Sequence, residues 1–287
     1  MTVGPDAKAL GLNEAVTAEL LGASNIYTNP ANLALEETST LNATYTLWIG
    51  DLTHTHAAVN LRKGSRALAF GFLGSQVDGI PRRTQPGPSD GSFNVSSLSL
   101  SAAYANTIGP VAVGATLQYL REEYYIYNAS GYAANIGLST QLWNDRILLG
   151  ATVLNLGEMN ELRDQSTALP TTFRAGFDAE LVTFTPPEND DLPVTVNLKN
   201  DWVLPLQSTG GTTQSDPTNE HLQQYCRSNL ISPIPSCFAP ATRPVDTVRH
   251  WSAGAGIKVG SITANYALVP FETGFGTAHS IGLRYRF

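Results

Sequence analysis

No run of roughly 18 apolar residues occurs anywhere in the chain, which excludes a transmembrane helix. Charge is scarce too. Asp, Glu, Lys and Arg make up 14% of 287 residues, against roughly 25% in soluble domains. The net charge is −7 and no block of Lys or Arg appears, so a nucleic-acid partner is not expected. The sequence has no GxSxG, no HExxH and no phosphate loop, and its Ser and Asp residues assemble into no recognisable triad. No enzyme and no cofactor are expected. His54 and His56 share one strand face, but no carboxylate or third ligand accompanies them, so they read as polar lining rather than a metal site. Met1-Thr2-Val3-Gly4-Pro5 lacks the basic and apolar regions of a signal peptide. The expectation is a chain starting near a mature terminus; the alternative is a cytosolic protein. Only two cysteines occur, Cys226 and Cys237, with ten residues between them. A disulfide closing that short segment fits an oxidising compartment; the alternative is two free thiols.

Glycine is abundant and methionine rare, a β-rich composition. Mean hydropathy is −0.09, but alternation averages the hydropathy of a transmembrane barrel away. The last nine residues illustrate this. Ile281, Leu283, Tyr285 and Phe287 fall on one strand face, and Ser280, Gly282, Arg284 and Arg286 on the other. One face could sit in hydrocarbon, and the other carries charge that could not. The final aromatic residue resembles the C-terminal signal of bacterial outer-membrane barrels.

From Ser39 onward, alternating segments recur with regular punctuation. Twelve strands are predicted: 39–48, 53–62, 66–77, 93–105, 111–124, 131–143, 146–156, 171–183, 193–203, 247–259, 261–269 and 277–287. Tight turns alternate with longer loops, among them 78–92, 157–170 and 204–246. A barrel inserted from the periplasm sorts its connections in this way, with both termini periplasmic. Trp48, Tyr124, Tyr125, Trp143, Trp251, Phe271 and others cluster at strand ends, as interfacial girdles require. The expected fold is therefore all-β: a transmembrane antiparallel barrel of about twelve strands, or fourteen, over residues 39–287.

Residues 1–38 do not alternate. Gly11 to Leu21 reads as a short helix with Leu12, Val16 and Leu20 on its apolar face, and Asn29-Pro30 breaks the chain. Tucked into the lumen, this segment would form a helical plug, to which Leu21 also contributes. The small, polar lumen-side residues favour a filled barrel over an open pore. The prolines of 204–246 argue against a further hairpin there. Leu230, Ile231, Ile234 and Phe238 are apolar for an exposed loop, and are candidates for capping the mouth or contacting a partner chain.

Gly11-Leu12-Asn13-Glu14-Ala15 and the run Ala23-Ser24-Asn25-Ile26-Tyr27-Thr28-Asn29-Pro30-Ala31-Asn32-Leu33-Ala34 resemble the start of the PorV/PorQ family, which belongs with the FadL-like outer-membrane barrels. Gly79 to Thr84, Leu98 to Ala105, Asn155-Leu156-Gly157 followed by Leu169-Pro170, and Asn265-Tyr266-Ala267 are similar to further stretches of that family in the same order. The family usually has fourteen strands, so one hairpin is missing before Ser261; Asn265 also stands where an Asp is usual. The resemblance implies an accessory subunit of type IX secretion or surface attachment in the bacterial outer membrane. It would contact lipid and dock a protein partner through its extracellular loops. The alternatives are a FadL-like conduit for small hydrophobic molecules and a purely structural anchor.

Overall fold

The computed structural model describes residues 4–83, 85–162, 165–184, 194–206, 223–231, 236–237, 251–271 and 276–287. For 161–162, 165–168, 184, 194, 223–231 and 236–237 it describes the backbone alone. One antiparallel sheet of fifteen strands makes up nearly all of it. These are β1 (Thr40–Leu47), β2 (Thr53–Lys63), β3 (Arg66–Arg82), β4 (Gly91–Ile108), β5 (Val111–Tyr124), β6 (Tyr127–Leu142), β7 (Ile147–Leu162), β8 (Gln165–Ala168), β9 (Thr172–Phe184), β10 (Val194–Pro205), β11 (Gln223–Ile231), β12 (Ser236–Cys237), β13 (Ala253–Val259), β14 (Ile262–Pro270) and β15 (Thr277–Arg286). Sequence neighbours pair along the chain, except that short β8 lies beside β7 and hands over to β9, and that β11 and β12 share no ladder among the described residues. The first strand then pairs with the last, from Thr40 opposite Arg286 to Leu47 opposite His279. β11 and β12 meet at the far ends of the order, so the sheet closes into a barrel.

The barrel is packed inside out relative to a soluble protein. In β1 the inward residues Thr40, Asn42, Thr44 and Thr46 are buried, while Leu41, Tyr45 and Leu47 are about half exposed. In β15, Ile281, Leu283, Tyr285 and Phe287 are 46–59% exposed and Arg284 is 5% exposed, the register expected from alternation. Such a surface is stable only against hydrocarbon, and a closed barrel satisfies its backbone hydrogen bonds without water. This is the architecture of a transmembrane β-barrel.

Several expected boundaries move. The predicted loop at 78–92 is largely strand, because β3 runs to Arg82 and β4 begins at Gly91. Here the ladder continues past a register shift between Val77 and Ile80, while the apolar alternation has already stopped. Alternation reports contact with lipid, not the length of a ladder. The predicted loop at 157–170 holds the β7–β8 hairpin for the same reason. Residues 204–246 hold β11 and β12, so the prolines do not prevent further strands, which raises the main order from twelve to fourteen.

Trp48 and Phe271 are not girdle residues. They turn inward at 7% and 9% exposure, edge to face with ring centroids 5.1 Å apart. Trp143 (77%), Tyr124 and Tyr125 do face outward.

The Asn155-Leu156-Gly157 and Leu169-Pro170 stretches form one local device. Asn155 takes a left-handed φ of 59°. Its N–H donates to Asn135 Oδ1 (2.9 Å), and its carbonyl accepts from Thr171 Oγ1 (2.9 Å). The β6–β7 register shifts beside it. The start of the β7–β8 pairing and β9 share one register on β7 across the break at Leu169–Thr171, where Pro170 has no N–H to offer, and β8 then shifts register between Met159 and Leu162.

Candidate functional site: the lumen and its N-terminal segment

Residues 4–36 lie inside the barrel and are almost entirely buried. The helix is not where the apolar spacing placed it. Helix α1 spans Ala7–Gly11, capped by Asp6, whose carboxylate accepts from Lys8 N at 2.7 Å. Asn13 and Glu14 then adopt positive φ values of 45° and 66°, which ends it. Two 3₁₀ turns follow, Gly22–Ile26 and Pro30–Ala34. Between α1 and the first of these turns the chain is irregular, because side chains from the wall and from the segment itself take up its backbone groups instead of a helical ladder.

That substitution can be followed bond by bond. Asn29, the cap of the second 3₁₀ turn, donates through Nδ2 to Thr17 O and to Ser139 Oγ of β6, both at 2.9 Å. Asn32 donates to the carbonyls of Thr17 and Glu19, and Ser139 Oγ donates back to Asn32 Oδ1 at 2.6 Å. Thr116 of β5 donates to Ile26 O, and Asn60 of β2 to Leu33 O. Asn42 of β1 reaches Leu21 O and Asp6 Oδ2.

Space is cleared by glycine. Gly114 and Gly137 are cross-strand partners on β5 and β6, and Gly150 lies opposite Ser139. A Cβ at Gly114 would run into the Pro30–Ala31 backbone, one at Gly137 into the Asn29 side chain, and one at Gly150 into Thr17 O. Gly114→Val should therefore prevent the segment from seating while leaving the outer wall intact. An overpacking cost of about 1–3 kcal/mol is expected. Faster tryptic cleavage at Lys8 in the folded barrel checks it; unchanged cleavage would refute the close approach.

Charge fixes the other side. Asp201 on β10 is 1% exposed, and its Oδ2 accepts from Val16 N and Thr17 N (both 3.0 Å), Thr17 Oγ1 (2.7 Å) and Arg174 Nη2 (2.8 Å). Arg174 Nη2 also donates to Glu14 O. Nearby, Glu19 pairs with Lys8 at 2.5 Å and with Lys199 of β10, which in turn pairs with Asp178 of β9. Three carboxylates thus meet three cations, and the buried charges are neutralised as burial demands. Burial pushes the Glu19 carboxyl up, but the ammonium groups of Lys199 and Lys8 outweigh it and hold it well below the usual carboxylate range. A depressed carboxylate contributes stability above its unfolded value, about 4.3, and loses it only as pH falls toward the lowered one. The pairing therefore outlasts mildly acid conditions.

Of the residues expected to form a plug, Leu12 and Val16 are 1% exposed and pack with Ala9 and Leu21; Asn29 and Pro30 are buried at a turn, and Leu20 is partly exposed. A second apolar group forms where Leu10 of α1 meets Trp48, Val269 and Phe271, flanked by Ile49 and Leu52. His54 and His56 line the lumen. His54 Nδ1 bonds Ser75 Oγ at 2.6 Å, and His56 packs edge-on against Tyr27. Among the described residues no group of three or more potential ligands could hold a metal.

Cys226 falls on β11 opposite Asn200, and Cys237 on β12 opposite Gly254. Their side chains, and hence the expected bridge, lie outside the described residues. Leu230 and Ile231 belong to β11, while Ile234 and Phe238 lie outside the described residues. Sequence reading missed Asp201, Lys199, Arg174 and Asp178. The available signal was ionisable residues in mid-strand in a chain with so little charge.

No protein-family model matches the chain, and no curated protein matches its sequence. Solved structures do match its fold over its whole length. The CymD monoaromatic hydrocarbon channel aligns with a TM-score of 0.61 at 12% identity, covering 99% of this chain and 98% of that one. The toluene transporter TodX of P. putida gives 0.60 at 10% identity with the same coverage. The toluene transporter TbuX of Ralstonia pickettii gives 0.52 at 14% identity, again with coverage of 99% and 98%. The chain thus shares its fold with these outer-membrane barrels, and nothing in these likenesses singles out PorV/PorQ.

Proposed function

We propose that this protein is an outer-membrane channel for small hydrophobic molecules, held closed by its N-terminal segment, with both termini in the periplasm. The observation that carries the reading is the end-to-end likeness to hydrocarbon channels, over 99% of this chain and 98% of CymD and TodX. The geometry supports it. A barrel meant only as an anchor needs no interior segment seated through glycine contacts and balanced ion pairs. Apolar side chains such as Trp48, Phe271, Leu12 and Val16 inside the barrel suit a hydrophobic solute, while the polar remainder positions the segment.

Expression in cells lacking hydrocarbon channels, followed by uptake of labelled toluene, tests this. Uptake should rise several-fold over a vector control, and no rise would refute the reading. The secretion-accessory reading rests on the PorV/PorQ-like stretches and on 204–246, much of which lies outside the described residues. It would gain ground if a protein copurified stoichiometrically from native membrane and toluene uptake stayed flat.

A further inference from the structure

We propose that the lumen carries an oxyanion-binding site at the barrel end where the chain closes on itself, built from Arg284, Arg286, Lys258 and Lys8. The ligand is a small carboxylate or phosphate. The site goes beyond the channel reading and does not depend on it.

The topology brings the cations together. Arg284 and Arg286 lie on β15, and Lys258 lies on β13 opposite Thr263 of β14, beside the turn at Gly260. Lys8 comes from α1, which packs against this part of the wall so closely that a Cβ on Gly11 would lie 3.0 Å from Gly254 Cα. Between them is a cavity of about 160 Å³, lined also by Gly254, Gly256, Thr263 and Asn265. Gly254 lets Gly11 of α1 come close and Gly256 makes room for the Asn265 side chain, and Thr263 and Asn265 add uncharged polar groups. No carboxylate is among the described residues that line it.

The electrostatics are unfinished as they stand. Arg284 is 5% exposed and donates through Nη1 to Leu20 O at 3.3 Å, but its Nε and Nη2 have no partner. A guanidinium cannot shed its proton to escape burial. Among the described residues neither Lys258 nor Arg286 is in an ion pair, while Lys8 pairs with Glu19, which it shares with Lys199, and donates its backbone N–H to the Asp6 carboxylate. Arg174 and Lys199 each hold a carboxylate, whereas buried Arg284 and the more accessible Arg286 and Lys258 reach the cavity without an ion pair among the described residues. A planar or tetrahedral oxyanion would accept from the free edge of Arg284 and neutralise the cluster.

The test uses the full-length barrel in detergent, with inorganic phosphate and benzoate titrated separately by calorimetry at low ionic strength. Saturable binding of at least one anion is expected, and which one binds identifies the ligand class. Losing two of the cations in Lys258→Gln/Arg286→Gln should weaken binding about tenfold or more. Arg284→Gln should abolish it. Both outer cations are solvent-accessible, so the double variant should fold, which heat-modifiable gel mobility verifies. Failure of both anions to bind at millimolar concentration, or undiminished binding to the double variant, would overturn the proposal. Uptake of toluene is not an arm of this test, so the site and the channel reading can fail independently.

Discussion

Leu283→Arg is expected to destabilise the barrel by about 2–4 kcal/mol if its position is near the membrane midplane. Leu283 is 53% exposed and sits on the outer face of β15, between Ala43 of β1 and Ala264 of β14. These small neighbours cannot shield a guanidinium, so the charge would face hydrocarbon directly. One residue further on, Arg284 is already accommodated, because the pleat turns it into the polar lumen. The contrast between adjacent positions is what makes the measurement decisive. Denaturant titration of barrels refolded into phosphatidylcholine vesicles gives the difference, with Leu283→Phe as a control expected to stay within about 1.5 kcal/mol of the parent. Equal stability of Leu283→Arg and the parent would mean that the face assignment is inverted, since a slip of one residue exchanges inside and outside along the whole strand.

That face assignment is legible in the amino-acid sequence, because hydrocarbon imposes a simple rule on residues such as Ile281, Leu283 and Tyr285. Where lipid ends, the rule ends. Asp78, Gly79 and Arg82 lie along β3, and Gly91 and Ser92 open β4, yet neither stretch alternates in the apolar sense, so both read as loop. A strand beyond the membrane is held by its ladder alone, and backbone hydrogen bonds leave no periodic trace in the side chains. β11 is hidden for a related reason: Gln223, Gln224 and Arg227 mask any apolar face within a proline-rich stretch.

The lumen is legible in kind but not in detail. Small inward residues indicate a filled barrel, and Gly114, Gly137 and Gly150 prove to be the positions where the segment touches the wall. The helix expected over Gly11–Leu21 fails because periodicity assumes that the backbone must satisfy itself. Here Asn29, Asn32 and Asp201 satisfy it from outside, and partners so distant in sequence cannot be found by spacing. Asp201 and Val16 are 185 residues apart, and only closure of the barrel brings them together.

Asp201→Ala should therefore have the largest effect on the N-terminal segment. The substitution removes the acceptor of two backbone N–H groups, one hydroxyl and one guanidinium at a site 1% exposed. Breaking a buried charge pair from one side costs about 3–5 kcal/mol, because the remaining charge, here Arg174, stays buried and unpaired. That loss falls on the contact between segment and wall rather than on the β-ladder, so the barrel should stay folded while residues 4–36 leave the lumen for part of the time. Trypsin should then cut at Lys8 much faster than in the parent, with heat-modifiable gel mobility unchanged. Asp201→Asn keeps an acceptor for Val16 and Thr17 but loses the charge opposite Arg174, so its cleavage rate should lie between the two. If the segment closes a channel, toluene uptake should rise in the same order: parent, Asp201→Asn, Asp201→Ala. Cleavage that does not change in Asp201→Ala would show that the carboxylate does not hold the segment in place. Faster cleavage with flat uptake would show instead that the segment moves but gates nothing.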